Sequence, residues 1–140
     1  MYKRKGYNKY GAKKCSLMGA SFDSRLEGNR AIFLLGALKE GKIRNLRRQV
    51  EFELIPKQTY KVEKQLKTKV KEVERVAEQK CCYVADFVYE KRMPDDTWQT
   101  VVEDTKSPVT KTGEYVIKRK LMLFRHGIRI REITKPGEDI

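Results

Sequence analysis

Histidine is nearly absent from this chain: His126 is the only one among 140 residues. Cysteine is scarce as well. The three, Cys15, Cys81 and Cys82, form no CxxC pair, which removes the spacings a Cys/His zinc site requires. Adjacent cysteines do not close a comfortable disulfide, so all three are expected as reduced thiols of a cytoplasmic protein. No run of 18 apolar residues occurs and no apolar signal core opens the chain. Neither a spanning helix nor secretion by signal peptide is therefore expected. Acidic residues are missing from 1–14, MYKRKGYNKYGAKK, which holds six Lys/Arg and three tyrosines. Nothing there builds a core, so a flexible basic arm is expected.

Charge is what the chain has in excess. Charged residues make up 36 % of it and the formal net charge is +13. That excess points to a polyanionic partner, and nucleic acid fits better than a membrane surface because no anchoring apolar face accompanies it. The length suits one domain with one modest core, here 15–135, followed by a tail 136–140 expected to fray.

The most informative stretch is 81–106, where YVADFVY and VVEDTK flank the turn MPDD. Both arms carry the β-branched and aromatic residues of strands, and Pro and Asp give the connection turn chemistry. Alternation along the first arm groups Cys82, Val84, Asp86 and Val88 on one face and Tyr83, Ala85, Phe87 and Tyr89 on the other. In the second arm Val102, Asp104 and Lys106 share a face, and Glu103 points away with Val101. A hairpin folded symmetrically about Asp95 sets Asp86 directly opposite Asp104. Like charges so opposed are destabilising, and a divalent cation is the simplest reason to keep them. Carboxylates suit Mg²⁺ or Mn²⁺, and a lysine on the same face would neutralise charge building on a phosphate. Position 105 serves only as a spacer, with a carbonyl in reach of a metal.

The flanks are read in the same way. Cys15 to Phe22 is a short hairpin turning near Met18 and Gly19. Ser24 and Glu27 form a capping-box signature for a helix ending near Glu40, with Leu26, Ile32, Phe33, Leu35 and Leu38 as its apolar face. Glu27 thus has a complete structural role, beside the alternative of a further carboxylate ligand. Residues 43–55 end in a strand with Val50, Phe52 and Leu54 alternating. The segment 57–80 has eight Lys/Arg against four Glu and reads as a helix by its Val62, Leu66, Val70 and Val73 spacing, with a long hairpin as the alternative. Thr112 caps a helix to His126, with Tyr115, Ile117, Leu121 and Phe124 on its apolar side, and a last strand spans 128–133. His126 would suit the negative end of that helix. The order is α-β-β-β-α-β behind a short hairpin: an α/β fold with a mixed central sheet flanked by helices.

These residues resemble the PD-(D/E)xK nuclease superfamily. YVADFVY, VVEDTK, the basic helix YVIKRKLMLF, the strand GIRIREI and the N-terminal KYGAKK…FDSRLEGNRA are most similar to small phage and prophage proteins related to junction-resolving endonucleases. The resemblance implies a restriction-endonuclease-like core, with Asp86 and Asp104 as metal ligands, Lys106 as the active-site lysine and Glu27 as a helix-borne acid completing the site. Ala85 stands where the pattern has proline, and neither this nor Asp at 104 removes a ligand. It further implies Mg²⁺-dependent hydrolysis of DNA, acting on Holliday-type junctions in phage recombination or replication, as a homodimer in the host cytoplasm. Phosphate contacts are expected from 1–14, 57–80 and 111–131, with Lys13, Lys14, Lys67, Lys69, Lys118 and Lys120 as candidates. A DNA-binding accessory protein without cleavage, and a sequence-specific or nicking nuclease, are the alternatives.

Overall fold

The computed structural model describes residues 14–17 and 19–140. Most of the expected basic arm, Lys13 included, and the turn residue Met18 lie outside the described residues.

Strands β1 (Cys15–Leu17) and β2 (Ala20–Phe22) pair as the expected small hairpin. Helix α1 (Arg25–Lys39) follows, capped by Ser24, whose hydroxyl accepts the Glu27 amide. Gly41 ends it at a φ of +72°, a conformation a side chain resists. β3 (Ile43–Ile55) leads into β4 (Gln58–Gln65) and β5 (Val70–Glu78), then into the long hairpin of β6 (Cys81–Arg92) and β7 (Trp98–Thr105). Helix α2 (Gly113–His126) and β8 (Arg131–Ile133) complete the chain, with Thr112 as the cap and Gly127 as the left-handed stop.

The central sheet runs β3-β6-β7-β8, antiparallel except for the β7/β8 pair, which is parallel and joined through α2. The protein is therefore an α/β fold with a mixed sheet between two helices, as expected. One core lies under each helix. Leu34 and Ala37 of α1 pack with Ile43, Phe87 and Tyr89. Tyr115 and Met122 of α2 pack with Leu54, Tyr83, Ala85, Val88 and Val102. No helix among the described residues is long and apolar enough to cross a membrane.

Four expectations are corrected. First, 57–80 is not a helix: β4 and β5 form a separate two-stranded ribbon, the alternative reading. Its apolar residues sit at positions that satisfy either period, and Val62 pairs with Val73 across the ladder. Second, α1 buries Glu27, Arg30, Ala31, Leu34 and Ala37, whereas Ile32, Phe33, Leu35 and Leu38 face outward. Small residues let the helix approach the sheet closely, and the two charged residues find partners there. Third, Ile117 and Phe124 of α2 are exposed and Met122 is buried. Fourth, the tail makes defined contacts where a free end was expected. Arg30 Nη1 donates to the carbonyls of Pro136 (2.9 Å) and Glu138 (2.5 Å), and Ile140 packs beside the α1 core.

Alternation along β6 also breaks. Tyr83 and Ala85 lie on the α2 side with Val88, while Phe87 and Tyr89 lie on the α1 side. The faces exchange at Asp86. Across the ladder, Arg48 pairs with Phe87 and Val50 with Ala85, leaving Gln49 opposite Asp86 at a φ of +51°. A left-handed residue inside a strand bends and twists it, as in a β-bulge.

Candidate active site

The β6/β7 register is the symmetric one. Phe87 pairs with Glu103 and Val88 with Val102, so Asp86 and Asp104 come next in line. The turn that sets this register holds Asp96 at a φ of +62°, and Asp95 Oδ1 accepts both the amide and the hydroxyl of Thr97.

Asp104 is buried on the α2 side. Burial, then the Asp86 carboxylate, push its acid up to about 7, against the opposing pull of Lys106. Lys106 Nζ lies 3.0 Å from Asp104 Oδ2 and 4.3 Å from the centre of the Tyr115 ring. Asp86 Oδ2 accepts the Thr105 amide at 2.8 Å and its hydroxyl at 2.6 Å. Thr105 is thus more than a spacer: it orients the carboxylate opposite its neighbour, a role that only the cross-strand geometry reveals. Tyr83, also missed in the sequence, has a buried hydroxyl with no hydrogen-bond partner among the described residues. Burial and the neighbouring Asp104 raise its acid far above the ordinary phenol range.

Glu132 stands next to Asp104 across the parallel β7/β8 ladder. It accepts from Tyr115 (3.2 Å) and Arg119 (2.5 Å) and also meets Lys111. These donors hold it charged, its acid lowered although burial acts the other way. Arg119 and Lys120 of α2, with Arg129, line an open groove that reaches Glu132.

Glu27 is buried, with each contact accounted for. Its Oε2 accepts the Asp23 amide at 3.0 Å, a variant of the expected capping box displaced by one residue. Its Oε1 accepts from Gln49 Nε2 (3.1 Å) and Arg48 (3.3 Å). Gln49 is the residue opposite Asp86 in the β3/β6 register. Among the described residues no group of three or more His, Cys, Asp or Glu side chains is gathered for a metal. The structure therefore brings Asp86, Asp104 and Lys106 together, and not Glu27 with the two aspartates as one ligand set. Gln49 carries a sequence signal only in hindsight, as a polar residue in an alternating strand.

Glu103 points to the opposite face with Val101, as alternation requires, and pairs with Arg30. His126 Nε2 lies 2.7 Å from the Glu53 carbonyl and its ring meets Phe52 edge-on, far in role from any catalytic contact. Of the phosphate-contact candidates, Lys14 pairs loosely with Asp23 at 3.7 Å, and Lys118 with Glu114 at 3.0 Å. Lys120 lines the groove, and Lys67 and Lys69 sit at the exposed tip of the β4/β5 ribbon.

Searches of curated proteins and of solved structures find no match. Residues 7–135 match the family described as "Protein of unknown function (DUF1064)", and the chain belongs to that family.

Proposed function

We propose that this protein is a Mg²⁺-dependent endonuclease that hydrolyses DNA phosphodiesters. The observation that carries the reading is the placement of two carboxylates side by side on central strands, with a lysine against one of them. Opposed carboxylates, Asp104 buried and Asp86 partly so, cost stability, and of the two Lys106 meets only Asp104. Asp86 and Asp104 would hold the ion. The donor set is oxygen only, which fits Mg²⁺ or Mn²⁺. When bound, such an ion polarises the scissile phosphate and lowers the pKa of its water.

The residues of the chain supply the rest. Thr105 fixes the Asp86 carboxylate by two hydrogen bonds, so that it is presented in one orientation. Lys106 leans on the Tyr115 ring and Asp104, from which its ammonium would stabilise charge on the phosphate as the nucleophile adds. Glu27 holds the side chain of Gln49, the left-handed residue opposite Asp86. The groove of Arg119, Lys120 and Arg129 offers the phosphate backbone a path past the site.

Branched DNA as substrate, and a homodimer that places one site on each strand, complete the proposal. A synthetic four-way junction incubated with Mg²⁺ tests it. Cleavage should occur in symmetric positions with the natural protein and vanish in Asp86→Ala and Asp104→Ala, with binding retained. Full activity in both variants would end the assignment. The second reading, DNA binding without cleavage, draws on Glu27 standing outside the aspartate pair. It predicts salt-sensitive binding with no Mg²⁺-dependent nick in duplex, flap, single-stranded or four-way DNA.

A further inference from the structure

The ribbon of β4 and β5 packs into neither helical core and forms a sheet of its own, every residue of β4 exposed. Isolated two-stranded ribbons are marginal in water, so its length of roughly 26 Å needs a reason. The register supplies one. Tyr60 pairs with Arg75, Val62 with Val73 and Lys64 with Lys71, and the Leu66 amide bonds the Lys69 carbonyl at the tip. Paired residues share a face, so one face carries Lys64, Lys69, Lys71 and Arg75 among Tyr60 and the apolar residues, its one acid being Glu78, opposite Gln58 at the root. The other face carries Lys61 opposite Glu74 and Glu63 opposite Glu72.

The two faces differ in how charge is relieved. On the acidic face Lys61 Nζ meets Glu72 Oε1 at 2.5 Å, and Thr59 donates to Glu74. On the basic face no ion pair relieves any of the four cations among the described residues, although Lys64 and Lys71 stand directly opposite each other. Like charges in that position destabilise a ribbon. A sequence free to optimise the ribbon alone would exchange one of them for the glutamates behind.

We propose that the β4/β5 ribbon is a one-sided DNA arm, gripping the phosphate backbone of duplex DNA through Lys64, Lys69, Lys71 and Arg75 while its acidic face stays in water. A two-stranded ribbon is narrow enough to lie along the major groove, where cations on both strands of the ribbon reach phosphates on both walls. Tyr60 adds a planar contact at the root. The arm rests on the reading of DNA as the partner, and is independent of whether Asp86 and Asp104 cleave it.

The test measures binding of the full chain to a mixed-sequence 30-base-pair duplex by fluorescence anisotropy over a salt series, in chelator so that nothing is cut. The variant K64A/K69A/K71A/R75A should lose about tenfold or more in affinity near 0.1 M salt. Its slope of log K against log salt should become shallower by about 0.9 for each phosphate that the ribbon no longer neutralises. A charge-matched variant at the far end of the sheet, K39A/K42A/K91A/R92A, should keep the natural slope, which separates a placed cation from net charge. Equal affinity and slope in the ribbon variant would overturn the arm, as would an equal loss in the control or no duplex binding by the natural protein. Ribbon-dependent binding without Mg²⁺-dependent cleavage would uphold the arm and sink the nuclease. Cleavage with unchanged binding in the ribbon variant would do the reverse.

Discussion

Arg30 grips Glu103 through two nitrogens, Nε to Oε2 at 2.9 Å and Nη2 to Oε1 at 2.6 Å, with both side chains 0 % exposed. Tyr89 donates to the same carboxylate, and the remaining Arg30 nitrogen holds the C-terminal tail. Neighbouring acids on one strand thus do different work: Glu103 ties α1 to the sheet, and Asp104 faces the candidate site. Removing Glu103 leaves the buried Arg30 charge without its carboxylate, and removing Arg30 leaves Glu103 with only the Arg131 cation, at 3.6 Å. Arg30→Ala and Glu103→Ala are each expected to cost roughly 3–5 kcal/mol. Urea denaturation measures this, and a double variant with apolar residues of similar volume should cost less than the sum.

Metal-free protein should lose stability as pH rises from about 4 to about 7. Asp104 has its folded pKa raised above the unfolded value, from 3.8 to about 7, mainly by burial and then by Asp86. Across that window the folded state holds a proton that the unfolded chain has released, so the contribution is present at low pH and fades as pH climbs. Three units correspond to at most roughly 4 kcal/mol, reduced by coupling to Asp86. Melts in chelator at several pH values should show the decline. Asp104→Asn should flatten it, and Mg²⁺ at pH 8 should raise the melting temperature of the natural protein but not of this variant.

Thr105 gives a finer test of the site than the aspartates do. Thr105→Val keeps the shape and the amide bond to Asp86 but removes the hydroxyl bond. The loss of a hydrogen bond to a charged group is worth about 1.5–3 kcal/mol. Cleavage is expected to fall by roughly tenfold to a hundredfold, by the same energy scale. Thr105→Ser should restore most of it, because the hydroxyl and not the methyl makes the contact. A silent Thr105→Val would remove Asp86 orientation from the proposed mechanism.

Much of this was legible in residue order, and the failures share a cause. The β6/β7 register followed from turn chemistry centred on Asp95, and the caps at Ser24, Thr112, Gly41 and Gly127 announced both helices. These are local signals. Which face of a helix meets the sheet is not local. In α1 the apolar stripe of Ile32, Leu35 and Leu38 turned outward because Ala31 and Ala37 allow close approach and Arg30 has Glu103 to meet. The exchange of faces at Asp86 depends on a left-handed Gln49 in another strand, and no periodicity in β6 contains it. The side-chain partners of Glu27, Arg48 and Gln49, and the Asp86 partner of Thr105 were hidden for the same reason: they come from 19 or more residues away.

The buried face of α2, which keeps Tyr115 and Leu121 but takes Met122 in place of Ile117 and Phe124, supplies the last prediction. By hydrophobicity Phe124 is the larger anchor, yet it is 89 % exposed, whereas Met122 is fully buried against the β-sheet core. Truncating a buried methionine removes its transfer energy and leaves a cavity, at a cost of about 2–5 kcal/mol, while an exposed side chain away from any network changes stability by roughly 0.5 kcal/mol or less. Met122→Ala should therefore lower the denaturation midpoint sharply and Phe124→Ala should leave it in place. Both residues lie in the same helix, so propensity differs little between the variants and cannot account for the contrast. The opposite order would mean that α2 docks with its other face, which would carry Tyr115 away from Lys106 and dismantle the site.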